Sequence, residues 1–418
     1  MKWILTAALL ITLGGTVLAD GNRIDILRPD APALAALGPN AVGVRTLTFV
    51  HKNQADVLTG DGARYDRPLK IEVWYPADLE GETAGGDYPD VQMANSDLKI
   101  ILHGRAVRDA APDRTQGPYP LVILSHGYPG NRFLIAHFGE NLASKGYVVA
   151  SIDHFESTYE NKLGFASTLA NRSADQLFVL DSIAALSAKQ NQFLFGLVDA
   201  DRSAVIGYSM GGYGAVISAG GGLSDASLTT GLAPNEAFAP LLAGSEAFAD
   251  SRDPRLKAVV AIAPWGGQIG LWDDVGLAGI RMPLLMMGGT LDEVSDYQNG
   301  IRRIFKGAVN SDRYLLSFQG AGHNAAAPMP PPDEATTGGP GSPYEHYADF
   351  VWSNARMNNV AQHFVTAFLG LYLKGDGDMA PYLTVGSDDW SGMAGDRIWA
   401  GFGERTTRGL VFEHLAPQ

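Results

Sequence analysis

Residues 204–217 read A-V-I-G-Y-S-M-G-G-Y-G-A-V-I, and this stretch is the strongest single indication of the fold. The apolar run at 204–206 has the character of a buried strand, and the residues after Gly212 are compatible with a helix. Between them, Ser209 lies in the middle of a G-x-S-x-G pattern, at a sharp strand-to-helix turn. Such a turn exposes the serine oxygen at the carboxyl edge of a sheet and directs helix N–H groups toward a developing oxyanion. We therefore predict that Ser209 is a nucleophile, with a merely structural serine as the alternative.

Apolar runs alternate with amphipathic segments from Pro120 onward. This alternation is typical of the α/β class, with a mostly parallel central sheet and helices on both faces. The predicted strands are 121–124, 148–152, 204–206, 258–262, 284–287 and 314–318. The predicted helical segments contain Phe138 with Leu142, residues 174–186, and Val360 with Phe364, Phe368 and Leu371.

The segment ahead of this core is predicted to be framework. Residues 46–50 and 70–75 flank the turn signal Gly60-Asp61-Gly62, which indicates an antiparallel hairpin. Residues 76–118 are rich in Asp, Gly, Ala and Pro around a short apolar patch, and we expect an elaborated loop.

The remaining segments are predicted to decorate a single catalytic domain at 20–418, with its core at about 120–374. Loop insertions are expected at 220–255, after the nucleophile helix, and at 325–347, after the candidate catalytic residue His323. Residues 375–418 are expected to be a C-terminal extension beyond the last helix.

A serine hydroxyl needs a base and an orienting carboxylate, which in such a sheet follow in the order Ser, Asp, His. Asp292 lies in G-G-T-L-D-E-V directly after the strand 284–287, and His323 lies in G-A-G-H-N directly after 314–318. Each residue is therefore one loop past a strand, at the sheet edge that also presents Ser209. We predict that His323 is the general base and Asp292 its acidic partner.

Other residues offer alternatives to these assignments. Glu293 and Asp296 could be solvated loop charges or the acid itself. Among the other downstream histidines, His346 falls in a Pro/Gly-rich loop, His363 in the last helix and His414 in the extension, where surface or packing roles are expected.

Two His-Gly pairs compete to supply the second oxyanion donor, which comes from a loop after an earlier strand. His103-Gly104 follows a short apolar patch, whereas S-H-G-Y-P-G at 125–130 follows a stronger strand and leads into a helix. We favour the second pair, so that the backbone N–H of Tyr128 acts beside that of Met210. His126 is then expected to be a structural turn residue and not a base.

These motifs resemble a known family. From about Pro120 to Leu373 the chain is similar to the α/β-hydrolases of the platelet-activating-factor acetylhydrolase, dienelactone-hydrolase-like and polyester-hydrolase (cutinase-like) branch. The resemblance is carried by P-L-V-I-L-S-H-G-Y, L-A-S-K-G-Y-V-V-A-S-I-D-H, G-Y-S-M-G-G, A-P-W and G-A-G-H. It implies carboxylic ester hydrolysis without a metal or organic cofactor, and it implies the same triad of Ser209, Asp292 and His323.

The resemblance also implies a substrate wall. In poly(ethylene terephthalate) hydrolases and related cutinases a tyrosine of the oxyanion loop, the methionine after the serine and a tryptophan after the next strand line the acyl site, which corresponds to Tyr128, Met210 and Trp265 here. Two aromatic faces could hold a flat or apolar acyl group by stacking, while core packing is the alternative for Trp265. The chain departs from that branch in its lack of cysteine, its long insertion after the serine, and His126 in place of a small residue.

Charge and composition limit the classes of binding partner and of catalytic site that this chain can have. The net charge of -14 and the pI of about 5.0 argue against nucleic acid and against an anionic membrane surface. The absence of cysteine excludes disulfides, zinc-thiolate sites and a cysteine nucleophile. A neutral or weakly charged ester is the expected partner, and the oligomeric state is left open.

The first 19 residues have the layout of a secretory signal peptide, with Met-Lys, an apolar run and Ala19 before Asp20. We expect cleavage near Ala19-Asp20 and a secreted or periplasmic protein. A buried helix or a membrane anchor is the alternative, but Gly14 and Gly15 interrupt a run that is already short for a bilayer span. No membrane span is expected in the mature chain, because no later apolar stretch is long enough.

The function predicted from these features is a secreted serine carboxylic ester hydrolase that acts on apolar or aromatic esters, with polyesters as candidate substrates. An amidase, peptidase or acyltransferase is the alternative, because these enzymes share the triad and the acyl-enzyme intermediate. A non-catalytic binding module on the same fold is a third hypothesis.

Overall fold

The computed structural model describes residues 21–81, 83–336, 341–384 and 399–418. The predicted signal peptide at 1–19 lies outside these ranges. Within them the chain forms one sheet of eleven strands and a second sheet of two. The strands are β1 (Ala41–Ala55), β2 (Arg64–Asp78), β3 (Gly86–Gln92), β4 (Lys99–Gly104), β5 (Val107–Arg108), β6 (Ala111–Pro112), β7 (Tyr119–Ser125), β8 (Val148–Asp153), β9 (Val198–Tyr208), β10 (Leu256–Ile262), β11 (Leu284–Gly289), β12 (Arg313–Phe318) and β13 (Leu410–Leu415).

The centre of the large sheet is parallel. Its six strands lie in the order β12-β11-β10-β9-β7-β8, and every neighbouring pair among them is parallel. β2 and β1 extend the sheet antiparallel beyond β8, and β13 extends it antiparallel beyond β12. The short β5 pairs with β1, and β6 pairs with β2. Because parallel strands end together, the loops after β7, β9, β11 and β12 share one edge of the sheet.

All six predicted parallel strands are present, as β7 to β12. Four of them, β7, β10, β11 and β12, are buried on both faces apart from Lys257, as strands covered by helices must be. The predicted α/β class, with a mostly parallel sheet and helices, is therefore confirmed.

Helices are present at all three predicted helical segments, and two of them are long. The helix over Phe165–Ala188 begins nine residues earlier than the predicted segment at 174–186. The helices of the described ranges are α1 (His137–Ser144), α2 (Phe165–Ala188), α3 (Met210–Ser218), α4 (Asn235–Phe238), α5 (Glu246–Asp250), α6 (Asp274–Leu277), α7 (Arg302–Gly307), α8 (Pro343–Tyr347) and α9 (Asn354–Lys374). None of them combines the length and apolar character that a membrane span requires.

The predicted hairpin is confirmed, since β1 and β2 pair antiparallel from Ala41 opposite Ala77 to Ala55 opposite Arg64. The expectation of a loop over 76–118 was too simple. Part of that segment forms the separate sheet, in which β3 pairs antiparallel with β4.

The insertion at 220–255 is folded onto the core. It contains α4, α5 and the short 3-10 helices Asp225–Thr229 and Ala239–Leu241. Phe238 and Phe248 are buried, so the segment contributes to the packed interior. The region predicted as a C-terminal extension contains β13, which completes one edge of the main sheet.

Candidate active site

Ser209 connects β9 to α3 at the edge of the sheet. Its backbone has φ 52° and ψ -111°, a conformation that is unfavourable for any residue with a side chain and that marks strain at functional turns. The turn closes only because its neighbours are glycines. A Cβ on Gly207 would lie 2.1 Å from the Gly211 carbonyl oxygen, and one on Gly211 would lie 1.9 Å from the Ser125 carbonyl oxygen. The G-x-S-x-G spacing is thus a steric requirement of this turn.

The three residues of the predicted triad are linked by hydrogen bonds. Ser209 Oγ lies 2.9 Å from His323 Nε2, and His323 Nδ1 lies 2.9 Å from Asp292 Oδ2. The Asp292 carboxylate also accepts the backbone N–H groups of Val294 at 2.9 Å and Ser295 at 2.7 Å. These bonds keep the carboxylate aimed at Nδ1, so that Nε2 faces the serine.

The loop that carries His323 is held by its neighbours. The Tyr208 hydroxyl donates to Asn324 Oδ1 at 2.9 Å, and the Tyr208 ring lies 5.2 Å from the His323 ring. Asn324 Nδ2 donates in turn to the carbonyl oxygens of Glu345 and Ala348. The residue before the serine and the residue after the histidine therefore fix the imidazole together.

The alternative acids and bases have other contacts. Asp296 caps a π-helical turn by accepting the N–H groups of the two residues at 298 and 299. His346 Nε2 lies 2.7 Å from the Tyr159 hydroxyl, and His363 Nδ1 accepts the N–H of residue 34. His414 stacks on Tyr314 with ring centroids 4.3 Å apart. Glu293 lines a cavity of about 510 Å³ beside His323, together with the exposed Phe350 and Val351.

The two predicted oxyanion donors are backbone N–H groups of the loop after β7 and of the first residue of α3. A Cβ on Gly127 would lie 3.3 Å from Ser209 Cβ, which places the loop 126–130 against the nucleophile. Among the described residues, the N–H of Tyr128 donates to no other group. Met210 is the first residue of α3, and an N–H at that position has no partner within its helix.

The peptide groups that carry these N–H donors are fixed from their other side. His126 Nδ1 lies 2.6 Å from the Gly127 carbonyl oxygen, and the Ser209 carbonyl accepts the Trp265 N–H at 3.2 Å. A planar trans peptide directs its N–H opposite to its carbonyl. The Tyr128 and Met210 N–H groups are therefore held away from these contacts.

The competing pair His103-Gly104 lies at the end of β4, in the separate sheet. The N–H of Arg105, which follows this pair as Tyr128 follows His126-Gly127, donates to the Glu140 carboxylate at 2.9 Å and is already satisfied. His103 Nδ1 pairs with Asp87 at 2.7 Å. This arrangement leaves the loop 126–130 as the better candidate for an oxyanion donor.

Tyr128 and Trp265 are joined by a third aromatic ring that was not anticipated. Phe165, the first residue of α2, contacts the Tyr128 ring at 5.3 Å and the Trp265 ring at 5.2 Å, edge-on in both cases. All three rings are partly exposed, whereas the Met210 side chain is buried. The sequence signal for Phe165 was only an aromatic residue between strand 148–152 and the next helix, which is too weak to assign a role.

A second serine–histidine–aspartate row lies beneath the oxyanion loop. Ser125 Oγ is 2.8 Å from His154 Nε2, and His154 Nδ1 is 2.9 Å from Asp175 Oδ2. Asp175 also receives two hydrogen bonds from Arg67, at 2.8 and 2.9 Å. All of these side chains are buried, so this row is closed to a substrate and has a structural character.

The fold is that of the α/β-hydrolases. Residues 108–237 match the model of a family described as PET hydrolase-like. The chain resembles the ferulic acid esterase from Streptomyces cinnamoneus with a TM-score of 0.59 and 22% identity, over 85% of this chain and 94% of that one. This structural likeness supports the fold alone.

Curated relatives narrow the class further. Cutinase 2 of Thermobifida cellulosilytica is 27% identical over 51% of this chain and 63% of its own length. The bis(hydroxyethyl) terephthalate hydrolase of Streptomyces coelicolor is 26% identical over 73% of this chain and 80% of its own length. The platelet-activating factor acetylhydrolase of Cavia porcellus is 26% identical over 37% and 36%. The chain thus has the α/β-hydrolase fold and is similar to polyester hydrolases and serine esterases. It matches between half and two thirds of the length of the cutinases.

Proposed function

We propose that the protein is a serine carboxylic ester hydrolase with Ser209 as nucleophile, His323 as general base and Asp292 as its orienting acid. The observation that carries the proposal is the row of hydrogen bonds from Ser209 through His323 to Asp292, each at 2.9 Å. The names of the cutinase and terephthalate-ester hydrolase relatives support ester hydrolysis. We further propose that residues 20–418 act as one catalytic domain.

In the proposed cycle, His323 Nε2 takes the proton of Ser209 Oγ as the oxygen attacks the ester carbonyl. The Tyr128 and Met210 N–H groups stabilise the negative oxygen of the tetrahedral intermediate. His323 returns the proton to the leaving alcohol and then activates a water molecule that releases the acid from Ser209. Asp292 keeps Nδ1 protonated throughout and stabilises the imidazolium.

Apolar or aromatic esters are the proposed substrates, with polyesters as candidates. The partly exposed rings of Tyr128, Phe165 and Trp265 form a continuous aromatic wall near Ser209 that suits a flat or apolar acyl group. A series of p-nitrophenyl esters of graded acyl length, measured beside bis(hydroxyethyl) terephthalate, would define the acyl preference.

The central test combines a covalent probe with one substitution. A fluorophosphonate should attach to the peptide that contains Ser209, and Ser209→Ala should lower kcat on p-nitrophenyl butyrate by at least about 10³-fold. Ser227→Ala is the matched control, because Ser227 is also buried and its hydroxyl contacts no partner in the described residues. Wild-type kinetics in Ser209→Ala would refute the proposal.

Amide or acyl-transfer chemistry is the second candidate, because the same triad would serve it. Cleavage of peptide or amide reporters without cleavage of any ester would favour it. We also propose that the protein is exported, on the basis of the composition of residues 1–19. N-terminal sequencing of the extracellular or periplasmic protein should then find Asp20 first.

A further inference from the structure

Two side chains of α2 contact the two walls of the candidate oxyanion hole, which are the loop 126–130 and the first turn of α3. Arg172 and Gln176 are four residues apart, so they lie on one face of the helix. Arg172 Nη1 donates to the His126 carbonyl at 2.8 Å, and Gln176 Nε2 donates to the Gly211 carbonyl at 3.0 Å. One helix therefore contacts the loop that carries Tyr128 and the first turn of the helix that begins at Met210.

The contact between α2 and α3 is too close to accommodate even a Cβ at Gly214. A Cβ on Gly214 would lie 2.5 Å from Arg172 Cγ and 2.7 Å from Gln176 Nε2. Gln176 Oε1 also accepts the hydroxyl of Ser218 at 2.9 Å, so its amide is held at both ends. A displacement of α2 would therefore be transmitted directly to the helix that follows Ser209.

Arg172 is a buried cation without a carboxylate at ion-pair distance among the described residues. Its partners are the His126 carbonyl and the Ser157 hydroxyl, and its Nε contacts no acceptor in the described residues. Arg67, by contrast, is bound by the carboxylate of Asp175. An unpaired buried charge is costly, which indicates that Arg172 has a use beyond stability.

The contacts of Arg172 reach both ends of the oxyanion loop. At its start, Arg172 binds the His126 carbonyl, while His126 Nε2 accepts the His154 N–H at 3.2 Å. That bond leaves the proton of His126 on Nδ1, where it is donated to the Gly127 carbonyl. At the other end, the carbonyl of Ser157 accepts the N–H of residue 130 at 3.1 Å.

We propose that Arg172 and Gln176 are positioning residues that hold the two walls of the oxyanion hole in register, so that the N–H groups of Tyr128 and Met210 converge on one oxygen. This inference rests on the proposed ester hydrolysis at Ser209. Such positioning residues stabilise the tetrahedral intermediate and contribute little to substrate binding in the ground state. The reason is that the N–H groups they place act on charge that develops during the reaction.

The test compares Arg172→Met and Gln176→Met with a matched control, Arg313→Met. Arg313 is equally buried and donates to the backbone carbonyls of residues 305, 311 and 416, but it opens β12 at the opposite end from His323. For each variant, kcat and KM on p-nitrophenyl butyrate are measured with the dissociation constant of a trifluoromethyl ketone. Such a ketone forms a tetrahedral adduct with the serine and needs the oxyanion hole.

We expect Arg172→Met to lower kcat by about 10- to 100-fold, to weaken the ketone by a similar factor, and to leave KM within about threefold. Gln176→Met should act in the same direction by about three- to tenfold, and Arg313→Met should change neither constant beyond about twofold. The inference is wrong if folded Arg172→Met and Gln176→Met match the control, or if KM rises while kcat and ketone affinity are unchanged.

Folding is followed by circular dichroism and urea unfolding. If Arg172→Met does not fold, Arg172→Lys and Gln176→Met decide the question. The lysine keeps the charge but cannot bind the His126 carbonyl and the Ser157 hydroxyl with a planar fork, so kcat and ketone affinity should again fall together. A wild type that neither hydrolyses esters nor reacts with a fluorophosphonate would overturn the proposed function and this inference with it, whereas active variants would overturn the inference alone.

Discussion

Phe165 links the two aromatic residues that flank Ser209, and its removal should change acyl selectivity. Each edge-to-face ring contact contributes about 0.5–1.5 kcal/mol, so Phe165→Ala should loosen Tyr128 and Trp265 together. We expect Trp265→Ala to reduce kcat/KM for a p-nitrophenyl benzoate by about tenfold, and Phe165→Ala by about threefold to tenfold. The butyrate ester should change less than the benzoate in both variants.

Phe195→Ala is the control for this comparison. Phe195 is a half-exposed phenylalanine that follows α2 at the end of that helix remote from Phe165. The benzoate-to-butyrate ratio should be unchanged in Phe195→Ala. An unchanged ratio in both Phe165→Ala and Trp265→Ala would show that the aromatic wall does not select the acyl group.

The proposed triad was accessible from the sequence because each member follows a recognisable strand by one short loop. Ser209 was predicted from the G-x-S-x-G pattern. Asp292 and His323 followed from the strand pattern, the chain order Ser, Asp, His and the rule that parallel strands end at one edge. Arg172 and Phe165 were not accessible in that way. Their roles depend on which loop α2 packs against, and helical periodicity specifies a buried face without naming its partner.

β13 pairs with β12, the strand that precedes the loop of His323, so a loss of packing on β13 should also affect the active site. Phe412 is buried in this strand, stacks on Tyr314 and lies 4.4 Å from the Phe364 ring. Phe412→Ala should therefore lower the free energy of unfolding by about 3–5 kcal/mol, as buried Phe-to-Ala substitutions do. Urea denaturation of the purified protein measures this loss.

Leu415→Ala is the matched control on the same strand, because Leu415 is 40% exposed. It should cost less than about 1 kcal/mol. Equal losses in Phe412→Ala and Leu415→Ala would indicate that β13 is not packed as described. Esterase activity should be lost at a lower urea concentration in Phe412→Ala than in Leu415→Ala, since β13 pairs with β12 and β12 carries the loop of His323.

The separate sheet of β3 and β4, and the edge strand β13, were the parts of the fold that the sequence did not reveal. The central strands can be predicted from apolar runs such as 284–287. β3 reads G-D-Y-P-D-V-Q and has no regular alternation of apolar and polar residues. β13 follows the long segment 375–409, so nothing nearby indicates that it returns to pair with β12. Pairings between distant segments depend on tertiary context, and local patterns do not encode them.

The whole molecule contains several histidines that burial keeps neutral. These residues are His126, His137, His154, His346 and His363. In each of them, burial is the main cause of a lowered pKa. The pKa falls to about 3 for His137, His154 and His363 and to about 4 for His346. Between those values and 6.5 the unfolded chain binds more protons than the native chain, so the free energy of unfolding rises with pH across this window. The native state should therefore lose stability steeply as pH falls below about 6.5.

His137 allows that expectation to be tested one residue at a time. It is 2% exposed, neither ring nitrogen has a partner in the described residues, and burial lowers its pKa to about 3. In His137→Phe the share of destabilisation due to this residue between pH 7 and pH 5, about 2 kcal/mol, should disappear. Urea unfolding at both pH values measures the difference. Tyr119→Phe is the control, since it removes a polar group of another buried aromatic side chain but no group that titrates in this window. If His137→Phe lost as much stability on acidification as the wild type, His137 would have to be protonated in the native state, and burial would not keep it neutral.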